Sequence, residues 1–98
     1  MPIIIKWNKR AFSELTKAIE YIENDSPQNA EKVKRNIFTT INKLLTHPDF
    51  FAPDKFKLNN DGTFRAFEIH SYRIAYRSLK NEIRIIRIRH TKRNPREY

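Results

Sequence analysis

The last third of the chain constrains the fold most. Three runs rich in β-branched and aromatic residues follow one another: Thr63 to Ile69, Tyr72 to Leu79 and Ile83 to Arg89. His70-Ser71 and Lys80-Asn81 connect them. A parallel crossover needs a dozen residues or more, so connections this short make tight hairpins, and the three strands form an antiparallel meander. The middle run alternates cleanly, with Tyr72, Ile74 and Tyr76 on one face and Arg73, Ala75 and Arg77 on the other. In the last run isoleucine and arginine fall on both faces, and alternation does not assign its buried side.

Upstream, the hydrophobic period changes. Ile3 to Trp7 reads as a short first strand. Asn8 suits an N-cap, and Phe12, Leu15, Ile19 and Ile22 then recur at helical spacing to about Glu23. Asn24-Asp25-Ser26-Pro27 ends that helix and starts another, with Ser26 at the N-cap and Pro27 at the first helical position. The second helix carries Ala30, Val33, Ile37, Ile41 and Leu44 on one face and stops before His47-Pro48. Phe50 to Gly62 is a loop with a turn signal at Asn59-Asn60-Asp61-Gly62. Two helices joined this closely form an antiparallel hairpin, and their apolar stripes need a sheet to cover. The expected fold is therefore α+β in the order β-α-α-β-β-β. The helix hairpin packs on one face of a four-stranded antiparallel sheet, and residues 1–98 form one domain.

Lys and Arg number 20 against 11 Asp and Glu, a formal net charge of +9. On so small a surface that surplus favours polyanions: nucleic acid, an acidic membrane surface or an acidic protein. Cysteine is absent, which excludes disulfides, thiolate zinc sites and a cysteine nucleophile. The apolar start is shorter than the ~7–15 residues of a signal-peptide core, and no run nears the ~20 needed to span a bilayer. A cytoplasmic protein with no membrane partner is expected. His, Asp and Glu show no metal-ligand spacing, and neither a phosphate-cradling glycine loop nor a Ser-His-Asp arrangement is present. No metal or cofactor is expected.

The charge is concentrated. Arg84, Arg87, Arg89, Lys92, Arg93 and Arg96 crowd the end of the chain, with His90 and Tyr98 among them; Arg65, Arg73 and Arg77 come from neighbouring strands. Guanidinium groups match phosphate oxygens bidentately, and interleaved aromatics can stack on bases. Arg77, Arg87, Arg89, Lys92 and Arg96 are the candidate nucleic-acid contacts. Cleavage of RNA by its own 2′-hydroxyl needs a base, an acid and cations for the phosphorane. His90 has a suitable ordinary pKa, and arginines beside Tyr98 would favour its phenolate.

These features together resemble the RelE/ParE-type toxins of bacterial type II toxin–antitoxin systems, the group that includes plasmid-stabilisation proteins. The resemblance covers the element order, Ser26-Pro27-Gln28-Asn29-Ala30 opening the second helix, the strand Tyr72-Arg73-Ile74-Ala75-Tyr76, and the ending Ile88-Arg89-His90-Thr91-Lys92-Arg93-Asn94-Pro95-Arg96-Glu97-Tyr98. It implies a cognate antitoxin and one of two activities. RelE-like members cleave mRNA in the ribosomal A site without a metal; ParE-like members inhibit DNA gyrase and are not nucleases. Carried over by motif, Arg73 matches the strand arginine that stabilises the phosphate, and Arg65 stands where a catalytic lysine is found. Arg93 falls near the C-terminal catalytic arginine, Tyr98 at the catalytic tyrosine and His90 near the histidine of YoeB-like relatives. A second lysine on the Arg65 strand is missing, its place taken by Phe67 or Glu68, and no YoeB-type glutamate base can be placed. The first expectation is a ribosome-dependent mRNA endonuclease. The alternative is a gyrase inhibitor, and a further one a non-toxic nucleic-acid-binding domain.

Overall fold

The computed structural model describes residues 2–94 and 96–98; Met1, and Pro95 of the C-terminal motif, lie outside the described residues. The element order is β1 (Ile4–Trp7), α1 (Lys9–Asp25), α2 (Pro27–Lys43), β2 (Phe64–Ile69), β3 (Tyr72–Ser78) and β4 (Glu82–His90). Ser26 caps α2 as its sequence demands, its side chain accepting from the Asn29 amide at 3.1 Å, with Pro27 in the first turn. Asn8 stands at the N-cap position of α1 without a side-chain cap bond; its Oδ1 accepts instead from Arg84 at 3.2 Å.

The strands form one sheet in the order β1-β4-β3-β2. β2, β3 and β4 are the expected antiparallel meander. The first strand departs from expectation: β1 lies beside β4 and runs parallel to it, pairing Ile5 with Ile83 and Trp7 with Ile85. The sheet is therefore mixed. The cause is topological. In a three-strand meander the first and third strands point the same way. The helix hairpin and the long loop at residues 44–63 return the chain to its starting end, so β1 and β2 also share a direction, and β1 must match β4.

Both helices cover one face. Ala11 and Leu15 of α1 and Val33, Ile37 and Ile41 of α2 pack with Leu44 against Phe67, Tyr72, Ile74, Tyr76, Ile83, Ile85 and Ile88. The stripe of α2 is buried as its spacing requires. On α1 the buried line runs through Ala11 and Leu15, and Phe12 sits at its margin, 53 % exposed, edge-on to Trp7. The unassigned face of β4 is resolved by a bulge. Tyr76 pairs with Ile85 and Ala75 with Arg87, leaving Ile86 as the extra residue. That insertion shifts the alternation by one, so Ile83, Ile85 and Ile88 all face the helices although they do not share one parity. Among the described residues no helix is long and apolar enough to cross a membrane.

Candidate functional site

The sheet face turned away from the helices is partly roofed by two segments. The first is the loop at residues 52–58. It runs along the outer edge of β2, with the Asp54 amide donating to the Phe64 carbonyl at 2.8 Å and Pro53 bridging to Arg65. Asn60 holds its far end: its Oδ1 accepts from the Gly62 and Phe64 amides and its Nδ2 donates to the Phe64 carbonyl at 2.8 Å. Gly62, with φ of +95°, closes the turn in the left-handed region. The second segment is the chain end. The Tyr98 amide donates to the Phe56 carbonyl at 3.0 Å and the Leu58 amide to the Tyr98 carbonyl at 2.6 Å, so the tail lies against the loop as a short extended pair.

Where the two segments meet, Asp54 is 2 % exposed, the one buried charged side chain among the described residues. Its carboxylate is fully engaged. Oδ2 accepts from the Tyr98 hydroxyl at 2.6 Å, and Oδ1 accepts from Arg73 Nη2 at 2.8 Å and from the Phe56 amide at 3.1 Å. Arg73 reaches Asp54 because it lies on the face opposite Tyr72, Ile74 and Tyr76. Its Nη1 donates to Glu68, its cross-strand neighbour, at 2.9 Å, and its guanidinium lies 4.8 Å from the Phe56 ring centre. Arg87 packs over the Tyr98 ring at 4.0 Å and donates to the Arg96 carbonyl.

The electrostatics follow from this closure. Burial alone would raise the Asp54 pKa, but the Tyr98 hydroxyl, Arg73 and the Phe56 amide outweigh it and hold the carboxyl below its ordinary value. Tyr98 goes the other way. Burial, and then the hydrogen bond and negative charge of Asp54, raise its phenol well above the ordinary range, against the pull of Arg87 and Arg73. The sequence suggested that arginines would depress this tyrosine; burial, together with its unforeseen carboxylate partner, reverses the sign.

The five candidate catalytic residues are divided between two faces. Arg73 and Tyr98 meet at Asp54. Arg65 pairs with Tyr76 and so points to the helix side, where it donates to the Phe51 carbonyl at 2.6 Å and approaches Asp49 at 3.5 Å. His90 pairs with Tyr72 and packs edge-on against that ring at 5.0 Å, also on the helix side. Arg93, in the turn after β4, lines the same helix-side cleft as Tyr72 and His90. Of the candidate nucleic-acid contacts, Arg77, Arg87 and Arg89 share the open face with Arg73. Arg77 is tied to Thr63 at 3.0 Å and lies over the Phe64 ring at 4.7 Å. Lys92 and Arg96 are exposed beyond β4. Sequence reading missed Asp54, Glu68 and Phe56 as members of this site. The one available signal was the aromatic density of Phe50 to Phe56, since a loop so apolar has to pack onto something.

The arrangement offers an arginine face whose central members are paired or stacked, and a tyrosine that keeps its proton. Among the described residues no group of three or more His, Asp or Glu is placed to hold a metal ion. The sequence matches the model of the "ParE toxin of type II toxin-antitoxin system, parDE" over residues 5–95. The chain belongs to this ParE toxin family. It is thus the toxin of a type II toxin–antitoxin system. The fold of this ParE-family toxin is similar to a chain of the chromosomal ParDE system of P. aeruginosa, with a TM-score of 0.69 at 19 % identity, covering 92 % of this chain and 97 % of that one. It is also similar to a chain of the RelBE2 toxin–antitoxin complex of Mycobacterium tuberculosis, with a TM-score of 0.59 at 18 % identity, covering 92 % and 99 %. No curated protein matches the sequence itself.

Proposed function

We propose that this toxin acts in the cytoplasm as a gyrase inhibitor, by binding a protein target rather than by cutting RNA, and that a cognate antitoxin neutralises it. The observation that carries this reading is the closed Arg73–Asp54–Tyr98 cluster. A nuclease needs its arginine free to meet a developing phosphorane and its acid or base tuned near neutral pH. Here Arg73 is paired with a buried carboxylate, and Tyr98 is held protonated by burial and by the same group. His90 and Arg93 lie on the other side of the sheet, and the Arg65 side chain is turned toward Phe51 and Asp49. This reverses the order in which the two activities stood on sequence grounds. The antitoxin partnership draws support from the family and from the complexes in which the structural neighbours occur.

Purified toxin added to DNA gyrase and relaxed plasmid tests the proposal. Loss of supercoiling, with induction of a DNA-damage response in cells and intact message on translating ribosomes, is the expected result. Codon-aligned cuts in ribosome-bound mRNA that disappear in Tyr98→Phe would overturn it and restore the nuclease reading.

A further inference from the structure

A cleft of about 630 Å³ opens on the helix side of the molecule, between α1 and the outer ends of β3 and β4. It is separate from the Asp54 cluster, which lies on the opposite face of the sheet. Ala18, Tyr72 and Ile88 supply apolar lining, and Tyr72 and Ile88 belong to the buried core. Lys17, Lys92 and Arg93, all exposed, give it positive charge from both sides. The one acid, Glu14, is already committed: its Oε1 accepts from the Ile88 amide at 3.0 Å. The volume falls within the ~300–1,000 Å³ usual for ligand sites.

We infer that this cleft seats an acidic segment of a protein partner, with one apolar side chain against Tyr72 and Ile88 and flanking carboxylates on Lys17, Lys92 and Arg93. One observation favours a peptide over a nucleotide. The Tyr72 ring is buried and packed edge-on by His90, but Tyr21, which also lines the cleft, is 75 % exposed and open to a base or an apolar side chain alike, so the aromatic rings do not decide and the layout of charge does. The cations surround an apolar floor, the layout in which apolar anchoring supplies affinity and rim charge supplies steering and register. The inference rests on the antitoxin partnership proposed above and takes that antitoxin as the partner; it does not depend on the activity of the free toxin.

The test uses the full-length toxin and the antitoxin encoded in its own operon, with dissociation constants measured at two salt concentrations. Lys17→Glu/Arg93→Glu reverses two charges at the cleft. Lys32→Glu/Arg35→Glu reverses two exposed charges on α2 and carries the same change in net charge. All four side chains are exposed, so both variants should keep the wild-type circular dichroism. The cleft variant should lose about tenfold or more in affinity, mostly through faster dissociation, and the α2 variant should change by less than about threefold, through association and only at low salt. Equal losses in the two variants would reduce the cleft to general steering and overturn the inference while leaving the partnership intact. A cleft variant that binds antitoxin normally but loses a single-stranded RNA oligonucleotide would also overturn it, in favour of nucleic acid. Wild-type toxin that forms no complex would remove the partnership and the inference together.

Discussion

Asp54 holds two long-range partners, and its removal from water makes both of them matter. A buried carboxylate stripped of its cation is strongly unfavourable, whereas a pair replaced as a unit by neutral groups is close to neutral. Arg73→Ala should therefore destabilise the toxin by about 3–5 kcal/mol in urea titrations, and Asp54→Asn combined with Arg73→Met should recover most of that loss. Tyr98→Phe, which leaves Oδ2 of Asp54 without its donor, should lose about 1–3 kcal/mol. The pH dependence has a definite sign at each end. Asp54 is depressed in the folded state, so its contribution is complete above the unfolded carboxyl value of about 3.9 and disappears as pH falls through the lower folded value. Tyr98 is raised, so its contribution is present below the ordinary phenol value of about 10 and is lost as pH climbs through the higher folded one. Spectroscopic titration should accordingly find Tyr72, Tyr76 and Tyr98 all ionising late, with Tyr76 pushed by burial to about 12 and the last step missing in Tyr98→Phe. The face on which Arg73 lies was legible from strand alternation alone. Its partner was not: Asp54 and Tyr98 are separated by 44 positions, and no local pattern connects them.

The elements were read with few errors because each carries its own punctuation. Ser26-Pro27 marks a helix start, and two-residue connections mark hairpins. Their finer geometry depends on register, and here local and global demands conflict in two places. The β2–β3 turn puts His70 and Ser71 at φ of +50° and +69°, a type I′ geometry that favours Asn-Gly. Ser71 contributes its carbonyl to the Thr91 amide at 2.8 Å, and a glycine would keep that bond. Ser71→Gly should therefore raise stability by about 0.5–1 kcal/mol, seen as a higher thermal midpoint. A two-residue connection also fixes that Arg65 lies opposite Tyr76, so its helix-side position followed from the sequence once register was applied to it. The bulge at Ile86 did not follow, because an extra residue looks the same as broken alternation. Deleting Ile86 would remove the extra residue and leave Ile83, Ile85 and Ile88 in phase as a regular strand, so the variant should remain folded with the same core. A deletion variant that is insoluble or loses more than about 4 kcal/mol would contradict the assigned register.

At the scale of the molecule, α+β organisation and the stacking of both helices on one side followed from period and spacing. The direction of β1 did not, because a four-residue strand carries no mark of its partner's polarity. The distribution of charge was likewise visible only along the chain. The sheet separates Arg73, Arg77, Arg87 and Arg89 from Arg65, His90 and Arg93, and a surplus that reads as one cluster along the chain becomes two surfaces. The pairing of β1 with β4 has a consequence for how the toxin comes into being. Among the described residues β1 has β4 as its one hydrogen-bonded neighbour strand, from Ile4 on Asn81 to Asn8 on Ile85, although β4 is synthesised well after it. While translation is in progress, Ile5 and Trp7 have no sheet to join, and neither the α1–β4 packing nor the Asp54 cluster can be completed. Such late, sequence-distant closure is slow to form and leaves apolar surface bare in the meantime. The toxin therefore cannot present its folded surface before β4 has been made.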